Sequence, residues 1–535
     1  MQTIRKTRND QTATIRMLVK THTAALRGIE AQHVTVEANQ VNVLGRFDIV
    51  GLPDNAVKES EQRIRSALAV NGYRFPGKGL VVNMAPADLK KEGASFDLSI
   101  AVALLATEEE VRTERLDEWL LLGELSLDGT LQPVKGALSI AVLARDEGLC
   151  GVIVPVQNAA EAAVVDGIDV YGIDNLRDVV RFLNGEQQPE PVRVDIEALF
   201  AEQNRLTGLD FADVRGQHNV RRALEVAAAG GHNILMVGPP GAGKSMMAKR
   251  LPGILPPLTL EESLETTKIH SVAGLLDTRH ALLTARPFRA PHHTVTDVAL
   301  VGGGSNPMPG EISLAHNGVL FLDELPEYKR SALEVMRQPM EDHRIRISRA
   351  KQSVEYPASF MLVAAMNPCP CGHYNDPTHP CTCPPGAVHR YLSRISGPLL
   401  DRIDIQVEIT PVPFAELQTS DQGESSTAIR ERVVRARRIQ ELRFRGEKGV
   451  YCNAQMSPRL LRKHCVLDAA GTTMLRLAME RLGLSARAYD RILKLSRTIA
   501  DLDMRSTPEA PAGITSAHLS EAISYRTLDR SDWAG

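Results

Sequence analysis

The sequence predicts an α/β protein with two successive α/β domains and a helical C-terminal domain. Short apolar runs alternate with segments of helical periodicity over residues 17–184, and they do so again over residues 209–412. Over residues 413–535, and clearly from Ala428 onward, Leu, Ile and Val recur at helical spacing with many arginines between them. A chain of 535 residues is also too long for one hydrophobic core, which favours two to four domains.

In the N-terminal domain, alternating and apolar runs predict strands over 34–43 and 79–84, and helical spacing predicts helices over 55–71 and 97–106. In the second domain, apolar runs predict strands over 233–237, 318–322 and 360–365. Residues 1–16 are polar, basic and aperiodic, which favours a disordered extension or a misassigned start. Residues 185–208 are rich in proline and charge and are predicted to form a linker.

Composition restricts the classes of function. The net charge is −3, so a nucleic-acid surface must be local, such as a groove or a loop. The sequence has no signal peptide and no run of about 18 apolar residues, so we expect no membrane partner. Seven cysteines without secretory features favour a reducing bacterial cytoplasm.

A P-loop motif follows the predicted strand that ends at Val237. Its residues are Gly238, Pro239, Pro240, Gly241, Ala242, Gly243, Lys244 and Ser245. Glycines let backbone N–H groups surround phosphates at a helix N-terminus. Lys244 is predicted to reach the β- and γ-phosphates of ATP, and the Ser245 hydroxyl to bind Mg²⁺.

Two further segments complete a nucleotide site. The apolar run 318–322 ends in Asp323 and Glu324, which suits a magnesium-binding carboxylate followed by a base that polarises water. Asn367 follows the strand predicted over 360–365, at the edge where α/β sheets bind ligands, and suits a sensor of the γ-phosphate.

These motifs resemble the helix-2-insert, magnesium-chelatase-like group of AAA+ ATPases. The resembling stretches include GPPGAGKS, RPFRAPHHTVTD, GVLFLDELPEY, AAMNPCPCG and RISGPLLDRIDI, which all lie within residues 210–410. The resemblance implies an AAA+ core over 209–412, a helical lid over 413–535 and a homo-oligomeric ring, usually a hexamer. It further implies Val214 and Gln217 near the adenine, Arg402 or Arg394 as the arginine finger, and Arg487 as the sensor-2 arginine. For Arg402 the alternative is a surface ion pair.

The pattern of residues 342–356 predicts a β-hairpin with a basic tip, just before the strand that leads to Asn367. In the resembling ring helicases this hairpin projects into the central channel, which implies DNA contacts by Arg349 and Lys351. The alternative is an exposed hairpin whose charges only keep it soluble. An arginine-rich helical run over 430–445 leaves the same two interpretations open.

Four cysteines form a C-x-C-x₉-C-x-C pattern between prolines: Cys369, Cys371, Cys381 and Cys383. Four thiolates can close a tetrahedral Zn²⁺ site, so we predict structural zinc; the alternative is four free thiols in a polar loop.

The domain over 17–184 resembles the proteolytic domain of Lon proteases. Ser95 falls at the position of the nucleophile, but Leu138 occupies the position of the lysine base, with Lys135 three residues away. A serine without a base is a weak nucleophile, so we expect a Lon-like fold without proteolysis.

Two functions remain from the sequence. The resemblance implies a DNA-translocating motor, a helicase or branch-migration ATPase that acts on recombination intermediates in natural transformation. The alternative is a chelatase-like ATPase that remodels a protein and does not act on DNA.

Overall fold

The computed structural model describes residues 18–203, 208–277, 281–304, 307–348, 353–374, 379–412, 423–447, 449–503, 505–507 and 511–526. The chain divides into two compact units. Unit 1 comprises the chain through Ile196 together with residues 270–282, and unit 2 comprises residues 197–269 and the chain from Leu283 onward. Both units contain mixed α/β structure with parallel strand pairs, and helices dominate the C-terminal region, which confirms the predicted fold class.

Unit 1 is built on a seven-stranded sheet in the order β3-β4-β2-β1-β5-β8-β9. Its strands are β1 Val19–Arg27, β2 Glu30–Leu44, β3 Phe47–Val50, β4 Lys78–Ala85, β5 Trp119–Leu121, β6 Glu124–Leu125, β7 Leu131–Gln132, β8 Gly151–Pro155 and β9 Asp169–Ile173. Its helices are α1 Asn55–Lys58, α2 Ser60–Val70, α3 Asp97–Thr107, α4 Ala137–Asp146, α5 Val156–Ala162 and α6 Leu176–Leu183. The strands and helices predicted for this unit are confirmed, except that the predicted helix over 55–71 is divided at Glu59.

Helix α3 forms the centre of the unit 1 core. All its residues are buried, including Asp97, and this burial raises the pKa of the Asp97 carboxyl group. The carboxylate accepts hydrogen bonds from the Arg63 guanidinium at 2.6 and 3.0 Å. A buried charge is tolerated when it is paired in this way, so the pair fixes α2 against α3.

The Lon-like segment contains a packed leucine at the predicted lysine position. Leu138 is fully buried in α4, and its backbone N–H donates to the buried carboxylate of Glu161 at 2.9 Å. Lys135 is exposed. A second lysine, Lys91, is buried, but its ammonium group donates to the carbonyl oxygen of Pro86. The side chain at position 138 therefore has a packing role.

Unit 2 is built on a five-stranded sheet in the order β11-β14-β17-β10-β18, in which every neighbouring pair is parallel. Its strands are β10 Ile234–Val237, β11 Phe288–Arg289, β12 Gly302–Gly303, β13 Met308–Pro309, β14 Val319–Leu322, β15 Arg344–Ser348, β16 Ser353–Pro357, β17 Met361–Met366 and β18 Ile405–Glu408. All residues of β10, β14 and β17 are buried. Parallel strands covered on both faces carry such continuous apolar runs, which is why the sequence predicted them.

Helices surround this sheet and make up the C-terminal part of unit 2. They are α7 Ile196–Gln203, α8 His218–Gly230, α9 Lys244–Arg250, α10 Leu260–Ala273, α11 Asp297–Val301, α12 Glu311–Leu314, α13 Arg330–Val335, α14 Pro339–Asp342, α15 Ala387–Leu392, α16 Gly397–Leu400, α17 Ser426–Arg443, α18 Pro458–His464, α19 Ala469–Leu482, α20 Ala486–Leu502 and α21 Ser516–Ser524. Two of them cross the unit boundary: α7 begins at Ile196, and the end of α10 belongs to unit 1. Helix α7 was not predicted, since it lies in the proline-rich segment 185–208. Its half-buried apolar residues at 196, 199 and 200 share one helix face.

None of the helices formed by the described residues is both long enough and apolar enough to span a lipid bilayer.

Candidate functional site

Three neighbouring strands bring the predicted nucleotide-site residues together. Strand β17 lies between β14 and β10, and all three run in the same direction. The P-loop follows β10, Asp323 and Glu324 follow β14, and Asn367 follows β17. Because the carboxyl ends of parallel strands meet at one sheet edge, the three segments converge there.

The P-loop has the backbone conformation that phosphate binding requires. Gly241 and Gly243 have φ angles of +78° and +89°, which residues other than glycine rarely adopt. Apart from Gly241 and its two chain neighbours, no atom lies within 4 Å of the position that a Cβ on Gly241 would take, so the space beside this residue is open. Helix α9 begins at Lys244, and its N-terminus therefore follows the loop directly.

The Lys244 ammonium group lies at the centre of this edge. Its Nζ donates to the carbonyl oxygens of Gly238 and Pro239 at 2.7 and 2.8 Å and to Asn367 Oδ1 at 3.0 Å. Burial lowers the pKa of Lys244, and the two carboxylates after β14 oppose that shift. The lysine and the predicted sensor asparagine are thus in direct contact.

The predicted magnesium ligands also meet. Ser245 Oγ donates to Asp323 Oδ2 at 2.5 Å, which brings a hydroxyl and a carboxylate oxygen to one point. Hard oxygen donors of this kind suit Mg²⁺, which would neutralise phosphate charge when bound with ATP. Glu324 has a φ angle of +53° and a side chain that is 57% exposed. Its carboxylate is therefore open to the water that it is predicted to activate.

His293 also lies at this site, although the sequence did not predict it there. Its Nδ1 lies 3.2 Å from Glu324 Oε2. The loop that carries it follows β11, which pairs with β14, so both residues lie just beyond the ends of neighbouring strands. Tyr328 holds this loop through a hydrogen bond from its hydroxyl to Pro291 O at 2.6 Å. The stretch RPFRAPHHTVTD contains the histidine, but no spacing rule links it to Glu324.

The structure gives the two candidate finger arginines different surroundings. The Arg402 side chain is 8% exposed and donates to Glu341 Oε1 at 2.6 Å and to Pro398 O at 2.6 Å. The Arg394 side chain is 53% exposed and pairs with Glu327 at 3.0 Å. Both arginines therefore have partners within the chain, and which of them is the finger stays open.

The other residues implied by the resemblance occupy defined positions. Arg487, at the start of α20, lies 3.4 Å from Asp401 Oδ2, beside Arg402. Val214 is fully buried in the core, and Gln217 caps α8 and donates to Thr410 O at 2.6 Å. Their roles toward nucleotide stay predictions.

The four clustered cysteines lie within reach of one metal ion. Their sulfur atoms are all within 4.8 Å of one another, and the closest measured separations are 3.3, 3.5 and 3.8 Å. Four sulfurs at the Zn–S bond length in a tetrahedron are about 3.8 Å apart, so the cluster fits zinc. Burial raises the pKa of the Cys371 thiol, but hydrogen bonds from the backbone of His373, from Cys369 and from the backbone of Thr382 outweigh it and bring the pKa to about 5.

The arginine-rich run of α17 is largely engaged inside unit 2. Arg432 pairs with Glu225 at 2.5 Å, and Arg437 donates to Ala228 O at 3.1 Å. Arg443 pairs with the buried Asp501 at 2.5 Å. For these arginines the structure favours packing of α17 over contact with DNA.

Comparisons with known proteins follow the same division of the chain. Family models match residues 210–417 (Magnesium chelatase, subunit ChlI), 36–158 (Subunit ChlI of Mg-chelatase) and 423–526 (Magnesium chelatase, subunit ChlI C-terminal). The YifB protein of Salmonella typhimurium is 45% identical and the competence protein ComM of Haemophilus influenzae 44% identical, each over 95% of this chain and 97% of its own length. The DNA replication licensing factor mcm7 of Schizosaccharomyces pombe is 25% identical over 66% of this chain and 47% of its own length.

The fold is that of the AAA+ class of ATPases. The chain belongs to the magnesium-chelatase-like AAA+ family, in the group that contains the YifB and ComM proteins.

We predict that Lys244→Ala abolishes ATP binding, whereas Glu324→Gln retains binding and loses hydrolysis. The lysine contacts the P-loop carbonyls, while the glutamate has an exposed carboxylate that is predicted to polarise the attacking water. Binding of a fluorescent nucleotide and phosphate release should be measured on both variants. Hydrolysis by Glu324→Gln at the parent rate would show that another group is the base.

We predict that His293→Ala raises the basal turnover number for ATP by about fivefold and leaves KM unchanged. A hydrogen bond from His293 makes the Glu324 carboxylate a weaker base, and this carboxylate must accept a proton during hydrolysis. Loss of one hydrogen bond of about 1 kcal/mol corresponds to a rate change of about fivefold. The control is His292→Ala, because this neighbouring ring contacts Thr294 and has no bond to Glu324 in the described structure. A lower turnover number in His293→Ala would contradict the prediction.

Proposed function

We propose that this chain is an ATP-driven motor that translocates on DNA as a homo-oligomeric ring, by our expectation a hexamer. The observation that carries the proposal is the β15–β16 hairpin, which stands immediately before β17 in the sequence. The end of β17 leads to Asn367 at the nucleotide site. One strand thus connects the proposed DNA-binding element to the γ-phosphate sensor.

The hairpin has one anchored face and one charged face. Ile345, Ile347 and Tyr356 are buried, and the Tyr356 hydroxyl donates to Pro307 O at 2.7 Å. Arg344 and Arg346 are 70% and 67% exposed on the other face, where both pair with Glu355, at 2.8 and 3.0 Å. Arg349 and Lys351, the residues predicted to contact DNA, lie in the segment 349–352, outside the described residues. Cations on a firmly anchored hairpin suit a grip on phosphates that ignores base sequence.

The ring completes the catalytic site. An arginine supplied by a neighbouring subunit neutralises charge in the transition state only where subunits abut, and Arg394 and Arg402 are the candidates. The Arg394 side chain is 53% exposed, so it lies on a surface that a neighbouring subunit can reach. We therefore expect hydrolysis to depend on assembly.

The relatives support DNA as the substrate and natural transformation as the setting. ComM of Haemophilus influenzae is named a competence protein, and mcm7 is named a DNA replication licensing factor. We propose that the chain acts in the cytoplasm on branched intermediates of homologous recombination, with ATP and Mg²⁺ at the site described above. The Zn²⁺ proposed for the cysteine cluster has a structural role.

A second candidate function is a chelatase-like ATPase that remodels a protein partner and does not act on DNA. The three family models, all named for the chelatase subunit ChlI, favour it. The two functions differ in one measurable property, the effect of DNA on the rate of ATP hydrolysis. DNA stimulates hydrolysis by a motor and has no effect on a protein-remodelling ATPase.

We predict that branched DNA stimulates ATP hydrolysis, and that Lys351→Ala reduces branch migration severalfold while basal hydrolysis stays near the parent rate. Each lost phosphate contact should also reduce the slope of log affinity against log salt by about 0.9. Strand exchange, DNA affinity and ATPase rate should be followed across a salt series.

The matched control for this test is Arg476→Ala, which removes an exposed cation in an i,i+4 pair on α19. Unchanged branch migration in Lys351→Ala would refute the hairpin contact. A parent protein that neither binds DNA nor responds to it in its ATPase rate would refute the motor and leave the remodelling function.

We predict one tightly bound zinc ion per chain. A protein in which Cys381 and Cys383 are both replaced by serine should lose it, because only two of four ligands remain. The control is Cys150→Ser, which removes an exposed cysteine outside the cluster. Elemental analysis of protein purified without added metal gives the stoichiometry, and a folded, active, metal-free parent would leave four free thiols as the interpretation.

A further inference from the structure

The turn that carries two of the clustered cysteines lies against the P-loop. Within this turn the Gly372 N–H donates to Cys369 O at 3.0 Å, and Gly372 has a φ angle of +86°. A Cβ on Gly372 would lie 2.5 Å from Cδ and 3.2 Å from Cγ of Pro240. Only glycine fits so close to the proline ring, so the turn and the phosphate-binding loop are in direct contact.

A second connection runs through the chain itself. Asn367, which accepts a hydrogen bond from Lys244, is separated from Cys369 by one proline. The proline ring restricts the backbone at that position. Cys369 is buried, and its sulfur accepts the N–H of Tyr374 at 3.3 Å. The position of the first cysteine therefore restricts the position of the sensor asparagine.

We propose that metal binding by the cysteine cluster and nucleotide binding by the P-loop are energetically coupled. This inference rests on the nucleotide and zinc sites proposed above. The metal would fix the turn 369–372, which contacts Pro240 through Gly372 and is joined to Asn367 through Pro368. Without the metal, four thiols are no longer held within one coordination sphere, and both connections to the nucleotide site weaken.

Coupling between two binding equilibria is reciprocal, and this makes the proposal testable from either site. The affinity for Zn²⁺ should be measured by competition with a chromophoric chelator, with and without fluorescent ADP. The affinity for the same fluorescent ADP should be measured on zinc-loaded and zinc-stripped protein under reducing conditions. We expect each ligand to strengthen the other by the same factor, at least roughly fivefold.

Variants of the contact separate coupling from metal binding. Pro240→Ala removes the ring that touches Gly372 and leaves all four cysteines, so zinc content should stay at one per chain while the coupling factor falls toward one. Gly372→Ala places a methyl group against that ring and should lower the affinities for both Zn²⁺ and ADP. The control is Cys150→Ser, which changes an exposed cysteine outside the cluster and outside the nucleotide site, so its coupling should match the parent.

The outcomes are distinct from those of the DNA experiments, because neither ligand in this test is DNA. Equal ADP affinity of loaded and stripped protein overturns the proposal, as does a parent that binds no zinc. If circular dichroism shows that stripped protein unfolds, the zinc competition on loaded Pro240→Ala decides. A coupling factor equal to that of the parent then overturns the proposal.

Discussion

The parallel pairing of β14, β17 and β10 is the constraint on which the nucleotide site depends. The register pairs Val237 with Met366 and Leu322 with Ala364, so β10 and β17 end at the same level and β14 ends two residues earlier. A slip of one residue would move a strand end by about 3.3 Å, more than the length of a hydrogen bond. The Lys244–Asn367 and Ser245–Asp323 hydrogen bonds join segments that follow different strands. They therefore exist only in this register.

Much of this site could be predicted from the sequence because each part is local. A continuous apolar run bounded by glycine or by acids indicates both a buried strand and the place where it ends. The contacts of His293 with Glu324 and of Gly372 with Pro240 could not be predicted this way. Each joins residues from separate loops, and β11, which carries the His293 loop, is only two residues long and shows no periodicity. Only the folded arrangement of the loops brings these pairs together.

The buried ion pairs of unit 2 explain why its arginine content predicted so little about function. Asp404 is buried between Arg491 and His232, and its pKa is held well below its usual range, because the opposite charge of Arg491 and the histidine outweigh the effect of burial. Arg443 and Arg497 share the buried carboxylate of Asp501 in the same way. Removal of one partner from such a pair costs about 3 to 5 kcal/mol, since a charge then remains buried alone. Arg491 joins α20 to the residue before β18, and Arg443 joins α17 to α20. Composition alone does not distinguish these roles from DNA binding.

The position of β17 also explains how a change at the nucleotide site could move the β15–β16 hairpin. The strand is buried along its whole length, and close-packed interiors transmit displacement instead of absorbing it. One end of the strand follows the β15–β16 hairpin after three residues, and the other end leads to Asn367 within hydrogen-bonding distance of Lys244. In the proposed motor, a change in the contacts of Asn367 on loss of the γ-phosphate would therefore act on a stiff element that continues to the hairpin. The proposed motor needs this mechanical link, whereas ATP hydrolysis alone would not require the hairpin to stand at that position.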